Sequence, residues 1–335
     1  MLNEKINFGI LGCGMISDFH ARAIASLEDA CLLGAADFDI SRAEQFADKH
    51  HALKAYASYE DMLADDEIDV ISICTPSGFH AENAIAALRA NKHVVLEKPM
   101  ALSKEDAERV VRVCEETGKL LTVICQLRFS EDIARTKELV SAGAFGKLAF
   151  CNLSMKYWRS PEYYAGGGWK GTKKMDGGGA LMNQGIHGVD ALLYIAGEAN
   201  LIAAKSDTLL HSIEVEDRAV ALLEFANGAF GTIEASTCVN PGFERRIEIA
   251  GTDGCAVLKE STLEKLVVGG KVIIDGNKEE VAGTANDPSA MGHELHAKQI
   301  QNLIRAIRGE EKLLIDAREG QRAVRLITDI YEASK

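Results

Sequence analysis

No apolar run in this chain approaches the roughly 18 residues that a membrane-spanning helix requires. The polar start after Met1, Asn3-Glu4-Lys5, has none of the character of an export signal, so the cytoplasm is the expected location and a membrane is not an expected partner. Positive charge is also short: 37 Lys and Arg against 50 Asp and Glu leave a formal net charge of −13, which argues against nucleic acid or an anionic surface as partner. The eight cysteines (13, 31, 74, 114, 125, 151, 238 and 255) include no C-x-x-C pair, and several fall in apolar runs. They read as reduced, buried small residues rather than a disulfide frame or a zinc site. Internal repeats and low-complexity linkers are absent too. At 335 residues the chain exceeds the roughly 250–300 at which one core splits, so two domains are expected, joined by a crossing of the chain rather than a flexible tether.

The opening run Ile6-Asn7-Phe8-Gly9-Ile10-Leu11 is an apolar strand that enters Gly12-Cys13-Gly14-Met15-Ile16-Ser17 and then a helix containing His20. In a G-x-G-x-x-S loop, Gly12 permits the tight turn and Gly14 lets the backbone approach a pyrophosphate. The N–H groups of the following helix, at Met15 and Ile16, meet the phosphate charge. Ser17 stands where Gly or Ala is usual and is small enough for close helix–strand packing. A second strand, from Cys31, ends in Asp37. Its distance from the loop is close to the spacing of about 20 residues expected for a carboxylate that grips the ribose hydroxyls of NAD and repels the 2′-phosphate of NADP. NAD is therefore the expected cofactor, with NADP less favoured.

The first third continues in the same alternation. Ser41 to His50 reads as helix, Ser58 opens a capping box, and the continuous apolar run Asp69 to Cys74 suits a buried parallel strand that Thr75-Pro76-Ser77 ends. A helix from Phe79 to Ala90 and a strand from His93 to Leu96 follow, then Glu97-Lys98-Pro99. Ser103 caps a further helix stopping at Gly118, and Leu120 to Cys125 is one more strand. This is a doubly wound dinucleotide-binding unit, residues 1–125, with the Lys98 ammonium where a nicotinamide would lie. The rest, 126–335, changes period: Asn227-Gly228, Asp253-Gly254 and Gly269-Gly270 punctuate strand pairs and imply an antiparallel sheet. A glycine-rich segment (Gly166-Gly167-Gly168 and Gly177-Gly178-Gly179) reads as a flexible loop opening a helix from Ala180 to Ile195, and two helices, 293–308 and 316–332, close the chain.

On the Ala180 helix, Asn183, His187 and Asp190 fall at i, i+4 and i+7, on one face. Oxidising an alcohol by hydride transfer needs a group for the hydroxyl proton and positive charge near the developing oxyanion, tasks that Lys98 and His187 can divide. The bland alternative makes His187 a satisfied core histidine and Asp190 a solvated or capping acid. Gln126 and Arg128, just past the last strand of the first unit, are candidate substrate contacts. Tyr157, Trp158, Arg159, Tyr163 and Trp169 are candidates for stacking on a sugar ring or for plain packing. His293 and His296 at i, i+3 lack a third ligand of obvious spacing, so no metal is expected.

The set G-x-G-x-x-S with Asp37, Cys74-Thr75-Pro76-Ser77-Gly78-Phe79-His80, Glu97-Lys98-Pro99, Gly177 through Asp190, and the pattern around His296 and Gln299 resembles the Gfo/Idh/MocA oxidoreductases over almost the whole chain. The resemblance implies a Rossmann domain followed by an α/β domain with a large open, mainly antiparallel sheet, a nicotinamide cofactor, and a sugar, inositol or sugar-nucleotide substrate. It also implies that Lys98 and His187 act together, and that Thr75, Pro76, His80 and Glu97 join the cofactor contacts. Members of that family often carry Asp four residues before the histidine. Asn183 stands there in this chain; an amide cannot take a proton, so Asn183 is expected to orient substrate by hydrogen bonds. The substrate cleft is expected beyond the strand ends at Thr75, Pro76, Lys98 and Pro99, covered by 157–174, where Lys170, Lys173 and Lys174 leave room for an anionic group. Val220, Leu222, Ile233 and Val267 argue against a wholly polar second sheet face, and a homodimer or homotetramer through that face is expected. Three classes stay open: an NAD-dependent dehydrogenase or reductase of a sugar or polyol, a glycoside hydrolase using transient oxidation by bound NAD, and a non-catalytic NAD-sensing protein.

Overall fold

The computed structural model describes residues 5–166, 168–276 and 292–335. The opening residues 1–4 and Gly167 of the first glycine triplet lie outside them. The chain forms two compact units, one of residues 5–126 with 292–321 and the other of 127–276 with 322–335.

In the first unit six strands, β1 (Ile6–Leu11), β2 (Ala30–Ala36), β3 (Lys54–Tyr56), β4 (Val70–Ile73), β5 (His93–Leu96) and β6 (Leu121–Val123), form a wholly parallel sheet in the order β3-β2-β1-β4-β5-β6. This is the doubly wound dinucleotide-binding order. The connecting helices are α1 (Met15–Ala25), α2 (Ile40–His50), the short α3 (Tyr59–Leu63), α4 (His80–Arg89) and α5 (Lys104–Thr117). Their ends follow from local chemistry. Ser58 and Ser103 accept the N–H of Asp61 and Asp106, serving as N-caps. Gly118 closes α5 in the left-handed region at φ 67°, a conformation that favours glycine. β4 is buried at every position, the signature of a strand covered on both faces.

The second unit holds α6 (Glu131–Ser141), β7 (Leu148–Lys156), α7 (Pro161–Ala165), α8 (Ile186–Ala196), β8 (Ala199–Asp207), β9 (Arg218–Phe225), β10 (Phe230–Ser236), β11 (Arg246–Gly251), β12 (Gly254–Lys259), β13 (Thr262–Val268) and β14 (Lys271–Asp275). The eight strands form one sheet, β14-β13-β12-β11-β7-β10-β9-β8, antiparallel throughout except for the β7–β10 pair. The three hairpin turns read from the sequence join β9–β10, β11–β12 and β13–β14. Alternation along β9 buries Ala219, Ala221 and Leu223 and exposes Val220 and Leu222 on the opposite face, where Phe150, Ile202 and Phe230 are exposed too. Ile233 does not join them. It pairs with Ala221 and is fully buried, because pairing fixes it on the core side. Among the described residues no helix is long and apolar enough to cross a membrane.

Two helices, α9 (Glu294–Ile307) and α10 (Ala317–Ala333), end the chain. The division at residue 125 expected from the sequence does not hold for α9, which sits in the first unit: Ala297, Ile300, Leu303 and Ile304 join Phe8, Ile10, Ile24 and Val95 in one core. Gln299 is fully buried there, donating to Thr122 Oγ1 (2.8 Å) and the Val123 carbonyl (2.7 Å) and accepting from Cys125 N (3.2 Å).

Candidate active site

In the first unit the glycine loop lies at the C-terminal end of β1. Gly12 has φ +91°, donates its N–H to the Ala36 carbonyl at 2.8 Å, and a Cβ there would stand 2.9 Å from the Cys74 carbonyl oxygen. Only glycine meets both demands. Gly14 is the extended N-cap of α1, with no side-chain cap and no heavy atom within 4 Å of where a Cβ would be, so a ligand can reach the backbone. Ser17 is buried and donates to the Gly14 carbonyl, while Met15 is exposed and Ile16 half-buried.

Asp37 is not a solvated strand end. Buried at the tip of β2, its Oδ2 accepts from Cys13 N (2.8 Å) and its Oδ1 from Asp39 N (3.2 Å), with Arg42 Nη1 3.8 Å away. Arg42, whose guanidinium also lies 5.5 Å from the exposed Phe38 ring, is a neighbour that the sequence pattern did not single out. The loop, the Asp37 carboxylate and the uncapped helix suit a dinucleotide: concave backbone, positive helix end and ribose acceptor stand at one sheet edge.

The same edge carries Thr75, Pro76 and Lys98. His80, expected among the cofactor contacts, is instead buried against the backbone: Nδ1 meets the Pro99 carbonyl at 2.7 Å and Nε2 the Thr75 carbonyl at 2.8 Å. It braces the two loops, and burial holds it below its usual pKa although both carbonyls pull the other way. Asn83 adds a bond to Thr75 Oγ1 (3.2 Å).

Glu97 is likewise turned inward rather than toward a cofactor. Oε1 accepts from His20 Nε2 at 2.9 Å, and Oε2 accepts the backbone N–H of Lys98 at 3.1 Å, so Glu97 fixes the start of the half-buried lysine. Burial alone would raise the Glu97 pKa; its bond to His20 and the surrounding positive groups hold it well below the usual range. Burial pulls His20 down, yet its contacts with Cys74 and Glu97 raise it to about 10, so the pair is a buried imidazolium–carboxylate. His20 Nδ1 also meets Ser72 Oγ at 2.7 Å. His296 of α9 completes the cluster, its Nε2 3.9 Å from Glu97 Oε1 and its pKa lowered to about 4 by burial and by the His20 charge. The ligand atoms of His20, Glu97 and His296 fall within 4.8 Å of one another, so His296 groups with these two and not with His293.

In the second unit the triplet Gly177-Gly178-Gly179 is a packing device, not a flexible loop. A Cβ on Gly178 would collide with the Tyr331 hydroxyl, and one on Gly179 with the Glu216 carbonyl oxygen. Buried Glu216 accepts from Gly179 N (3.0 Å), Leu181 N (2.8 Å) and Tyr331 Oη (2.8 Å). It thereby anchors a π-helical turn, Ala180–Gly185, that carries Asn183 and leads into α8. Burial raises the Glu216 pKa against these three bonds.

Asn183 donates from Nδ2 to Asp176 Oδ1 at 2.6 Å, and its Oδ1 accepts from Gln184 Nε2 at 3.2 Å. Gln184 also reaches the Tyr163 hydroxyl (3.1 Å) and accepts from Arg159 Nε (3.0 Å). Asp176, fully buried just before the glycines, additionally accepts from Gly171 N at 2.7 Å. Neither Asp176 nor Gln184 was visible as a site residue in the sequence; the one hint was their position flanking the glycine triplet and His187. His187 is half-buried on α8.

Two candidates behave differently. Arg128 is buried and grips Asp190 with Nε (3.0 Å) and Nη2 (2.7 Å), while its guanidinium lies 4.8 Å from the Tyr194 ring. Asp190 is thus neither solvated nor a cap, and Arg128, expected as a substrate contact, is tied to this buried acid. Tyr157, the other expected substrate contact, is buried too, and burial raises its hydroxyl to about 12. Trp169 remains half-buried, and Lys170 Nζ stands 3.9 Å from the Tyr163 ring.

The description "Oxidoreductase family, NAD-binding Rossmann fold" matches residues 6–125, and "GFO/IDH/MocA C-terminal domain" matches 133–257. The WlbA dehydrogenase from Bordetella pertussis, solved with NADH and UDP-GlcNAcA, is 32% identical over 99% of this chain and 97% of its own, with a TM-score of 0.87. Myo-inositol 2-dehydrogenase of Thermotoga maritima is 27% identical over 78% of each chain. D-glucoside 3-dehydrogenase of Escherichia coli is 25% identical over 100% of this chain and 97% of its own.

Proposed function

The chain belongs to the GFO/IDH/MocA family of NAD-binding oxidoreductases, and from that premise we propose that it is a dehydrogenase or reductase working between nicotinamide and a CH–OH carbon of a cyclic polyol, sugar or sugar derivative. The observation that carries this reading is the placement of Lys98 directly beyond β5, held by Glu97, at the same sheet edge as the glycine loop and Asp37. In doubly wound sheets ligands bind outside the carboxyl ends of the strands. The substrate class is supported by the inositol, glucoside and nucleotide-sugar relatives. It is supported too by the polar character of the Asn183, Gln184 and Tyr163 network, which suits a molecule rich in hydroxyls.

The nicotinamide supplies the hydride acceptor in oxidation. Asp37 accepts from the ribose hydroxyls and disfavours a 2′-phosphate, so NAD is preferred. His187 takes the substrate hydroxyl proton, the Lys98 ammonium offsets the charge growing on that oxygen, and Asn183 orients a neighbouring hydroxyl. The test is a panel of polyols, sugars, uronic acids, nucleotide sugars, lactate and butanol, followed by absorbance of reduced nicotinamide. Stoichiometric NADH from a cyclic polyol is expected, and a best kcat/KM on lactate or butanol overturns the reading. On the best substrate, Lys98→Ala and His187→Ala should each lower kcat roughly 10²-fold or more with NAD affinity kept.

We also propose that the exposed apolar sheet face bearing Val220, Leu222, Phe150 and Phe230 is covered by a second copy, giving a homodimer or homotetramer. Light scattering at micromolar concentration tests this, and a monomer refutes it.

A further inference from the structure

A carboxylate accepts hydrogen bonds and donates none when ionised. The 2.6 Å contact between Asp176 Oδ1 and Asn183 therefore fixes which end of the amide faces Asp176, and the Gln184 bond to Asn183 Oδ1 fixes the other end. The amide is held at both ends, by a fully buried acid on one side and by the Arg159–Gln184–Tyr163 network on the other. Asn183 and His187 are four residues apart, so the negative charge of Asp176 stands one hydrogen bond behind the helix face that carries the histidine.

We propose that Asp176 is a positioning residue of the active site: with Asn183 it forms a carboxylate–amide pair of single negative charge that aims the amide at substrate and offsets the positive charge that develops on His187 as it takes the substrate proton. The inference rests on the dehydrogenase reading above and extends it to a residue that touches neither substrate nor cofactor. The pair works only with one charge. Two carboxylates at this separation cannot both be ionised and must share a proton, while two amides lack the charge altogether. The titratable groups near enough to feel its charge are the Tyr164 and Tyr331 phenols, both pushed up by burial first, with Asp176 adding to the rise. Glu216 lies behind Tyr331, and Arg159 behind Gln184.

Three variants of the full-length protein separate this from simple packing: Asp176→Asn, Asn183→Asp, and the two together, which exchange the partners. Each is nearly isosteric with the wild type, and each is followed by thermal melting from pH 4 to 9 and by the pH profile of kcat. In Asn183→Asp the shared proton has a folded-state pKa raised above the roughly 3.9 of an unfolded aspartate. Its stability relative to wild type is therefore greatest near pH 4 and is lost as pH rises through the raised value. The melting gap to wild type should widen across that range, and kcat should fall over the same interval. Asp176→Asn should lose about 10²-fold in kcat at all pH values, the scale of a misplaced catalytic constellation. The exchanged double variant should recover at least tenfold over Asp176→Asn and show no widening gap. A melting gap for Asn183→Asp that is the same at pH 5 and 9, or an exchanged variant no more active than Asp176→Asn, overturns the proposal. Melting needs no substrate: a widening gap together with a wild-type enzyme inert to every polyol and sugar would uphold the charge pair and reject the dehydrogenase reading.

Discussion

Replacing Arg128 by methionine tests whether that guanidinium serves the fold or the ligand. Arg128 and Asp190 are each 2% exposed, and two hydrogen bonds of 3.0 and 2.7 Å join them. Removing the cation leaves the Asp190 carboxylate buried beside an apolar chain, and breaking such a pair costs about 3–5 kcal/mol. The guanidinium lies 4.8 Å from the Tyr194 ring, and loss of that stacking adds roughly 1 kcal/mol. For a unit of this size each kcal/mol moves the melting point by roughly 2–4 °C, so Arg128→Met should melt about 8–24 °C lower. The double variant Arg128→Met/Asp190→Leu removes both charges and replaces them with apolar volume, a change often neutral for buried pairs, so it should melt well above Arg128→Met. The assay is thermal melting of the wild type, the two single variants and the double variant, alongside KM on the best substrate. The reasoning is refuted if Arg128→Met melts within about 1 °C of wild type, a shift well under 1 kcal/mol, while KM rises tenfold or more, for then the guanidinium faces substrate.

Three other perturbations follow from the geometry. Asp37→Ser should narrow the preference for NAD(H) over NADP(H), because it removes the repelling carboxylate and leaves neighbouring Arg42 as a cation for a 2′-phosphate; equal or tighter NADP(H) binding by the wild type would count against the role of Asp37. His296 and His93, both lowered to about 4 chiefly by burial, bind protons near 6.5 when unfolded, so stability should fall as pH drops from about 6.5 to 4, and His296→Gln should flatten that limb in denaturant titrations. Gly179→Ala should lower both melting temperature and kcat, since its methyl group displaces Glu216 and with it the turn that carries Asn183; unchanged kcat would show that the turn tolerates the shift.

Much of the first unit was legible because its signals are local. Ser58, Ser103 and Gly118 announce helix ends within a few residues, and continuous apolar runs announce strands buried on both faces. The glycine loop and Asp37 were legible for the same reason: the constraint is a backbone turn and a strand end. The Asn-Gly hairpin is another local instruction. What escaped depends on partners far along the chain. The π-helical turn exists because Glu216 and Tyr331, 35 and 149 residues from the amides they hold, take up the N–H groups of Leu181 and Met182. Arg128 meets Asp190 across 62 residues, and His80 looked like a ligand contact because its motif sits beside the cofactor loop while its ring turns inward. The advance from His187 to Asp190 correctly indicated a shared helix region, but periodicity cannot say which polar side chain will meet a buried cation.

The return of α9 to the first unit bears on how the chain matures during synthesis. The dinucleotide-binding sheet is translated well before α9, yet the N–H of Cys125 beyond its last strand waits for Gln299, 174 residues later. The apolar surface that receives Ile300, Leu303 and Ile304 waits as long. Domains generally fold as the N-terminal part emerges from the ribosome. Here the six-stranded segment would stay incomplete until α9 has left the tunnel. Nascent chains stalled before α9 has emerged should therefore be open to protease in the β1–β6 segment, and resistance should arrive abruptly once that helix is free to dock.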